Sequence, residues 1–302
     1  MSAAKNIPLL DDPGWKGSVT RFAHRFGMGL VRLSESRIAL VGLIITVIVV
    51  LVAIFAPVLA THSPIKGDYS STLAPPSRQH LLGTDNLGRD IWSRLVYGAR
   101  NAVLVGITVV PAGMILGIFI GAIPGFYGGR LDNLVMRLVD AWLAFPGLIL
   151  FLALLAVLGP GLWQTIVALI LGGTPGLIRL TRGLVLAERE RDYVKAARLL
   201  GERNWRILFR QVIPNVSSPL IVVATIRLGG TLLLFAGLTF LGLGPPPPAP
   251  SWGLMLNEAR NLMETAPMVA VYPGLAIFIT VLGINLLGDG LRDVLDPRLA
   301  EK

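Results

Sequence analysis

The chain has 302 residues, 53% of them hydrophobic and only 15% charged, with a formal net charge of +9; an ordinary soluble domain carries about 25% charged residues. A mean hydropathy of +0.68, together with long uninterrupted apolar runs, excludes a soluble domain and indicates several membrane spans. The absence of cysteine excludes thiol catalysis, thiolate metal sites and disulfides.

In chain order, residues 1–37 form a basic tail. Phe22, Phe26, Leu30 and Leu33 recur at helical spacing there, which predicts an amphipathic stretch over 19–37 lying on the inner membrane surface. Six apolar runs follow, at 38–60, 102–126, 134–158, 162–181, 216–241 and 267–287, each near the roughly 20 helical residues that a hydrocarbon layer requires. The first exceeds the roughly 7–15 apolar residues of a signal peptide and follows a long polar tail, so it is expected to remain as a helix. The loop 61–101 begins with turn residues and ends in a short amphipathic helix, 91–97. Gly159-Pro160-Gly161 leaves room only for a tight turn, which makes the third and fourth spans antiparallel neighbours. Four prolines at 245–248 predict an extended segment, and 252–262 reads as another short helix. Trp92, Tyr97 and Trp252 fit a belt of aromatics at the outer interface.

Placing the N-terminus inside puts eighteen Lys and Arg on the inner side and six on the outer, with Arg137, Arg179 and Arg227 inside the runs. This asymmetry predicts that both termini are cytoplasmic. The loop 61–101 runs against it, with five basic residues on the outer side. The same asymmetry assigns the net charge to membrane topology, so no nucleic-acid partner is expected.

The pattern of chemistry-bearing residues is sparse. No phosphate-binding Gly-x-x-x-x-Gly-Lys-Ser/Thr occurs, so the chain is not expected to hydrolyse ATP itself. His24, His62 and His80 share no ligand spacing on any one helix, and no metal is expected. The runs are poor in acidic groups, which disfavours an ion-coupled secondary transporter; a membrane hydrolase lacks a nucleophile and base that could be assembled.

The loop 182–215 is the most informative segment. Tyr193, Ala196, Ala197 and Leu200 fall at i, i+3, i+4 and i+7, one apolar stripe of a two-turn helix. Asp192 is placed to cap its start and Gly201 to end it. So short a helix must pack on something, either its own bundle or a partner. A second short helix is predicted with Trp205, Leu208, Phe209 and Val212 on its apolar side, ending at Pro214. Arg227 sits near mid-bilayer and should face away from lipid, where it meets a substrate carboxylate or Asp140, or serves a structural pair. Asp289, Arg292, Asp293 and Asp296 form a charged helix end at the inner surface, closed by Pro297.

The run Asp192-Tyr193-Val194-Lys195-Ala196-Ala197-Arg198-Leu199-Leu200-Gly201, followed by Pro214-Asn215, resembles the Glu-Ala-Ala loop of ABC importer membrane subunits. Residues 80–100, 238–261 and 272–299 are similar to the dipeptide, oligopeptide and nickel importer branch, in order and spacing from about residue 32 to the end. The resemblance implies an all-α integral membrane protein with six transmembrane helices and the type I ABC importer permease fold. It would comprise a cytoplasmic tail (1–37), a first helix with outer loop (38–101), a core of five helices (102–287) containing the coupling loop, and a second cytoplasmic tail (288–302).

By the same resemblance, Asp192, Tyr193, Lys195, Ala196, Ala197, Leu200, Gly201 and Pro214 make up the segment coupling the permease to an ATPase. Ala196, Ala197 and Gly201 match the motif, whereas Lys195 stands where its glutamate would be, so that glutamate's salt bridge does not transfer. Arg227 and Asp140 are candidates for the translocation path, and Asp289 and Arg292 for an inner-surface contact. The implied partners are a second homologous permease subunit, two ATP-binding subunits that use ATP and magnesium, an extracytoplasmic binding protein, and membrane lipid. The chain itself would bind no cofactor and catalyse no reaction. The implied cargo is short peptides, with nickel chelates, glutathione or another small solute as alternatives, and the implied site is the inner membrane of a prokaryote.

Overall fold

The computed structural model describes residues 36–295, with side chains through Arg292. All but the last two residues of the expected amphipathic stretch 19–37 lie outside the described residues, as do Asp296, Pro297 and the side chain of Asp293. Among the described residues the chain is helical, and its one extended pairing is an isolated bridge between Thr84 and Asp90.

Helix α1 (Arg37–Ile54) starts at Ser36, whose hydroxyl accepts from the Ala39 amide. After a four-residue helix (Ala56–Leu59) and a 3-10 turn (Tyr69–Ser71) come α2 (Ile91–Tyr127), α3 (Gly129–Leu143), α4 (Gly147–Leu158), α5 (Leu162–Arg189) and α6 (Asp192–Leu199). A four-residue helix (Asn204–Ile207) and a π turn (Leu208–Val212) lead into α7 (Ile213–Phe240), with α8 (Trp252–Ala259) and α9 (Met268–Leu295) completing the order. Five of these segments, α1, α2, α5, α7 with its lead-in, and α9, are long and apolar enough to cross a membrane. A sixth span exists if α3 and α4 are taken together.

The structure departs from the sequence expectations in definite places. The apolar run 134–158 is not one straight helix: α3 and α4 meet at 92°. Pro146 has no amide hydrogen to continue the ladder, and a residue before proline, here Phe145, is pushed away from helical geometry. The helix expected over 91–97 is instead the first two turns of α2, which runs unbroken for 37 residues, roughly 55 Å at about 1.5 Å per residue. Pro214 does not end a helix. The π turn before it moves the Ile213 amide onto the Leu208 carbonyl, and Pro214 is carried inside the continuous helical segment that leads from Asn204 into α7. The prolines 245–248 make a turn closed by the Ala249 amide on the Pro246 carbonyl, with a cis bond between Pro247 and Pro248. Trp252 does not join an interfacial belt; it is buried, and its indole donates to the Leu95 carbonyl at 2.9 Å.

Lipid gives apolar helices little reason to associate, so close backbone approach has to supply the contact. On α2, Gly113, Gly117, Gly121 and Gly125 repeat every fourth residue and form one ridge against α5, the most extensive helix pair in the structure. A Cβ on Gly117 would sit 2.6 Å from the Leu177 Cβ, and one on Gly121 would sit 2.5 Å from the Ile178 carbonyl oxygen. Helices α1 and α9 approach in the same way at Gly42, whose Cβ would collide with the Leu287 backbone. Two buried apolar clusters flank this ridge. One gathers Ile91, Ala99, Leu238, Trp252, Met255 and Ala259 around the start of α2; the other gathers Phe126, Val185, Val194, Ile207, Val212 and Leu220 around its end.

Replacing Gly121 by Leu should separate α2 from α5 and lower the thermal midpoint of the purified protein, at a cost of about 1–3 kcal/mol or more. Gly230→Ala should not lower the midpoint and should raise it slightly, since a Cβ there meets nothing within 4 Å and alanine is the better helix former by about 1 kcal/mol.

Candidate functional site

Helix α6 begins at Arg191 as N-cap rather than at Asp192, which occupies the first helical position without a side-chain cap bond; its charge there favours the helix start. The helix ends as predicted at Gly201. With φ at +79°, Gly201 lets the Glu202 amide reach the Ala197 carbonyl and its own amide reach the Arg198 carbonyl, the paired bonds of a Schellman motif.

The stripe read from the sequence is redistributed. Val194, which periodicity passed over, is fully buried, and Ala197 is 8% exposed. Both pack into the cluster around Phe126, Ile207 and Val212. Leu200 points away from the chain at 87% exposure, beside Leu199 at 90%, and Ala196 and Lys195 are exposed with them. Of the two alanines, only Ala196 is therefore available to another surface.

Tyr193 acts as a brace. Its hydroxyl donates to Glu188 Oε1 at 2.7 Å and accepts from Asn215 Nδ2 at 2.9 Å, tying α6 to the end of α5 and the start of α7. Burial, with Glu188 adding to it, pushes the phenol pKa up to about 12, so it keeps its proton as a donor. Arg189 donates to the Gly125 and Phe126 carbonyls at the end of α2, and Arg198 lies over the Phe126 ring. The short helix is thus tied to α2 through Arg198, and to α5 and α7 through Tyr193.

The expected approach of Arg227 to Asp140 does not occur. Asp140 pairs with Arg179 of α5, and Asp132 pairs with Arg182; together they fix α3 along α5. Arg227 instead donates to the Gly173 carbonyl at 3.3 Å. Its guanidinium lies over Gly176, where a Cβ would come within 2.9 Å of Nη2. It is half-buried, and among the described residues no carboxylate pairs with it. Asp289 and Arg292 are exposed near the end of α9.

A polar cluster that sequence reasoning missed lies at the other end of α2. Arg94 is the largest fully buried side chain. Its Nη2 donates to Glu258 Oε2 at 2.7 Å, and Arg89 Nη2 donates to the same oxygen at 2.8 Å. Asp85 accepts from Arg89 Nε at 2.7 Å and lies 3.6 Å from Arg94 Nε. Two cations and two anions from the loop, α2 and α8 thus balance in one buried quartet.

Beside it, Asp90 caps α2 by accepting from the Ser93 amide and hydroxyl at 2.8 and 2.7 Å. Burial works against the charge on Asp90, but Ser93 and the histidines outweigh it and hold the carboxyl below its ordinary pKa. His80 Nδ1 lies 3.0 Å and His62 Nδ1 4.0 Å from Asp90 Oδ1. Spacing along a single helix could not have found this trio, because the loop 61–90 brings it together.

Residues 113–301 match the family described as the binding-protein-dependent transport system inner membrane component. Residues 26–76 match the N-terminal transmembrane domain of oligopeptide transport permease C. The dipeptide transport system permease protein of Alkalihalophilus pseudofirmus is 42% identical over 268 residues, covering 89% of this chain and 88% of that protein. The di/tripeptide transport system permease protein of Pseudomonas aeruginosa is 46% identical, covering 86% of this chain and 88% of that one. A glutathione transport system permease protein of Pectobacterium atrosepticum is 46% identical, covering 77% of each. A structure of the MetNI methionine ABC transporter in inward-facing conformations matches the fold with a TM-score of 0.56 at 21% identity, covering 67% of this chain and 96% of that one.

Arg94→Ala or Glu258→Ala alone should destabilise the protein by about 3–5 kcal/mol, because each leaves an uncompensated buried charge. Replacing the whole quartet with apolar residues of similar size should recover most of that loss, as read from thermal unfolding in detergent.

Proposed function

The chain belongs to the binding-protein-dependent transport system inner membrane components, and from that premise we propose that it forms one half of the translocation pathway of an ATP-driven importer for short peptides. The observation that carries this reading is α6, a rigidly braced helix whose exposed side offers Ala196, Leu199 and Leu200 to something outside the chain. ATP is hydrolysed by separate subunits that use magnesium, and the chain itself makes and breaks no bond. A second permease subunit completes the pore, and a binding protein on the far side delivers the cargo.

Peptide cargo follows the dipeptide and di/tripeptide permeases among the relatives. Glutathione is the second reading, supported by the glutathione permease. The chain lies in a prokaryotic inner membrane with α6 and both termini in the cytoplasm. Burial of Arg89 and Arg94 in a neutral quartet removes two of the five basic residues that set loop 61–101 against this orientation.

Mechanically, docking of the ATPase onto α6 is a push on a lever. Val194, Ala197 and Tyr193 fix the helix to α2, α5 and α7, so its displacement moves those helices as a body instead of being absorbed by a loop. In the same reading Lys195, exposed on α6, meets the ATPase as a cation where relatives of the motif present an anion. Arg227 lines the path: a cation at mid-span without a carboxylate of its own attracts the carboxylate of a passing peptide.

Leu199→Glu with Leu200→Glu should reduce peptide uptake at least about tenfold, equivalent to about 1.4 kcal/mol of lost docking, with unchanged membrane insertion. Ala196→Cys should crosslink to the ATP-binding subunit; an absence of crosslinking in an actively transporting complex would refute the docking assignment. Arg227→Ala should abolish uptake while the complex assembles normally, and failure of assembly would assign Arg227 a structural role instead.

A further inference from the structure

We propose that His62, His80 and Asp90 form a binding site for one divalent transition-metal ion of the zinc class, on the side of the membrane opposite α6. The three side chains each offer a ligand atom, and these atoms all lie within 4.8 Å of one another. A tetrahedral ion with ligands at about 2.0–2.2 Å needs its ligand atoms roughly 3.3 Å apart. The two measured separations from Asp90 Oδ1, 3.0 Å to His80 Nδ1 and 4.0 Å to His62 Nδ1, lie on either side of that value. Small rotations of two imidazoles whose ring centroids are 4.6 Å apart therefore suffice to close the set.

The carboxylate is already arranged for the task. Asp90 is inaccessible to solvent, and its Oδ2 accepts from the Ser93 amide, the Ser93 hydroxyl and the Thr61 hydroxyl, which leaves Oδ1 turned toward the histidines. Such hydrogen bonds to a ligating carboxylate are the outer shell that fixes a metal ligand's direction. The histidines are held by their backbones. The His62 amide donates to Ser93 Oγ at 3.0 Å, and the His80 amide donates to Ser77 Oγ at 3.0 Å while its carbonyl accepts from the Ser77 amide at 2.8 Å.

Two imidazoles and one carboxylate suit zinc or a neighbouring late first-row ion and not magnesium or calcium, which prefer oxygen alone. The His62 side chain is 43% exposed, so the site opens to solvent and a water completes the fourth position. Loading the site would tie the segment leaving α1 to the entrance of α2, replacing the contacts of His80 Nδ1 with Asp90 Oδ1 and of His62 Nδ1 with the Thr61 hydroxyl.

The test uses the full chain purified without a polyhistidine tag and stripped with a chelator. Zinc binding is measured by competition with a chromophoric chelator, and cobalt is used as a spectroscopic substitute. One zinc per chain, a tetrahedral cobalt spectrum and a zinc-dependent rise in thermal midpoint are expected. His62→Gln with His80→Gln should weaken binding more than about 100-fold, beyond the 10–100-fold that losing an outer-shell partner costs, and should abolish the zinc-dependent rise. His24 stays in place as the one remaining histidine. Thr61→Ala, which removes a hydroxyl that contacts Asp90 Oδ2 and His62 Nδ1 but is not itself a ligand, should weaken binding by a smaller factor. An absence of stoichiometric zinc on the wild-type chain, or equal binding by the double variant, would overturn the proposal without touching the transport reading.

Discussion

The close contact of α2 with α5 through a ridge of glycines is the constraint on which the rest depends. Within hydrocarbon, burying leucine against leucine gains little over leaving it in lipid, so the pair is held by backbones brought within reach of each other. Because α2 is one uninterrupted rod, that contact also fixes the relation between its two ends. Near its first residue, Asp90, Arg94 and the buried quartet are assembled; near its last, Phe126 and the Arg189 contacts receive α6. A change at the ridge is therefore felt at both membrane surfaces.

Polar groups divide the labour between surface and interior. The quartet of Asp85, Arg89, Arg94 and Glu258 is buried and charge-balanced, so it specifies which segments meet. The Arg179–Asp140 pair is more than half exposed on both sides and adds little stability by itself; its contribution is to keep α3 in register with α5. Arg227 belongs to neither class. Gly176 leaves space for its guanidinium, which donates to a neutral carbonyl, an arrangement in which no carboxylate among the described residues pairs with the charge.

Much of the architecture was legible because membrane spans are written in long runs of one chemistry. The five spans outside the α3–α4 bend, the Gly-Pro-Gly turn, the short helix 252–262 and the extent of α6 were all recoverable from hydropathy, punctuation and periodicity. The bend at Pro146 was visible as a proline but was overridden by the apolar count around it. Ala197 and Val194 show a subtler failure. A stripe drawn through Tyr193, Ala196, Ala197 and Leu200 assumes one apolar face, whereas α6 buries Val194 and Ala197 and leaves Ala196, Leu199 and Leu200 exposed, and a two-turn helix is too short for periodicity to separate the two. The quartet and the His62–His80–Asp90 trio were hidden because loop geometry, not helix spacing, brings their members together.

The quartet also sets an order of events in the making of the protein. Arg94 and Glu258 are 164 residues apart in the chain, so the acceptor that both guanidiniums share is synthesised long after them. Until α8 emerges, Arg94 has only Asp85 of the quartet's two anions, and that carboxylate is also the partner of Arg89. The quartet is thus an electrostatic latch that closes late, with α9 still to follow, and a nascent chain stalled before α8 is left with two guanidiniums sharing one carboxylate.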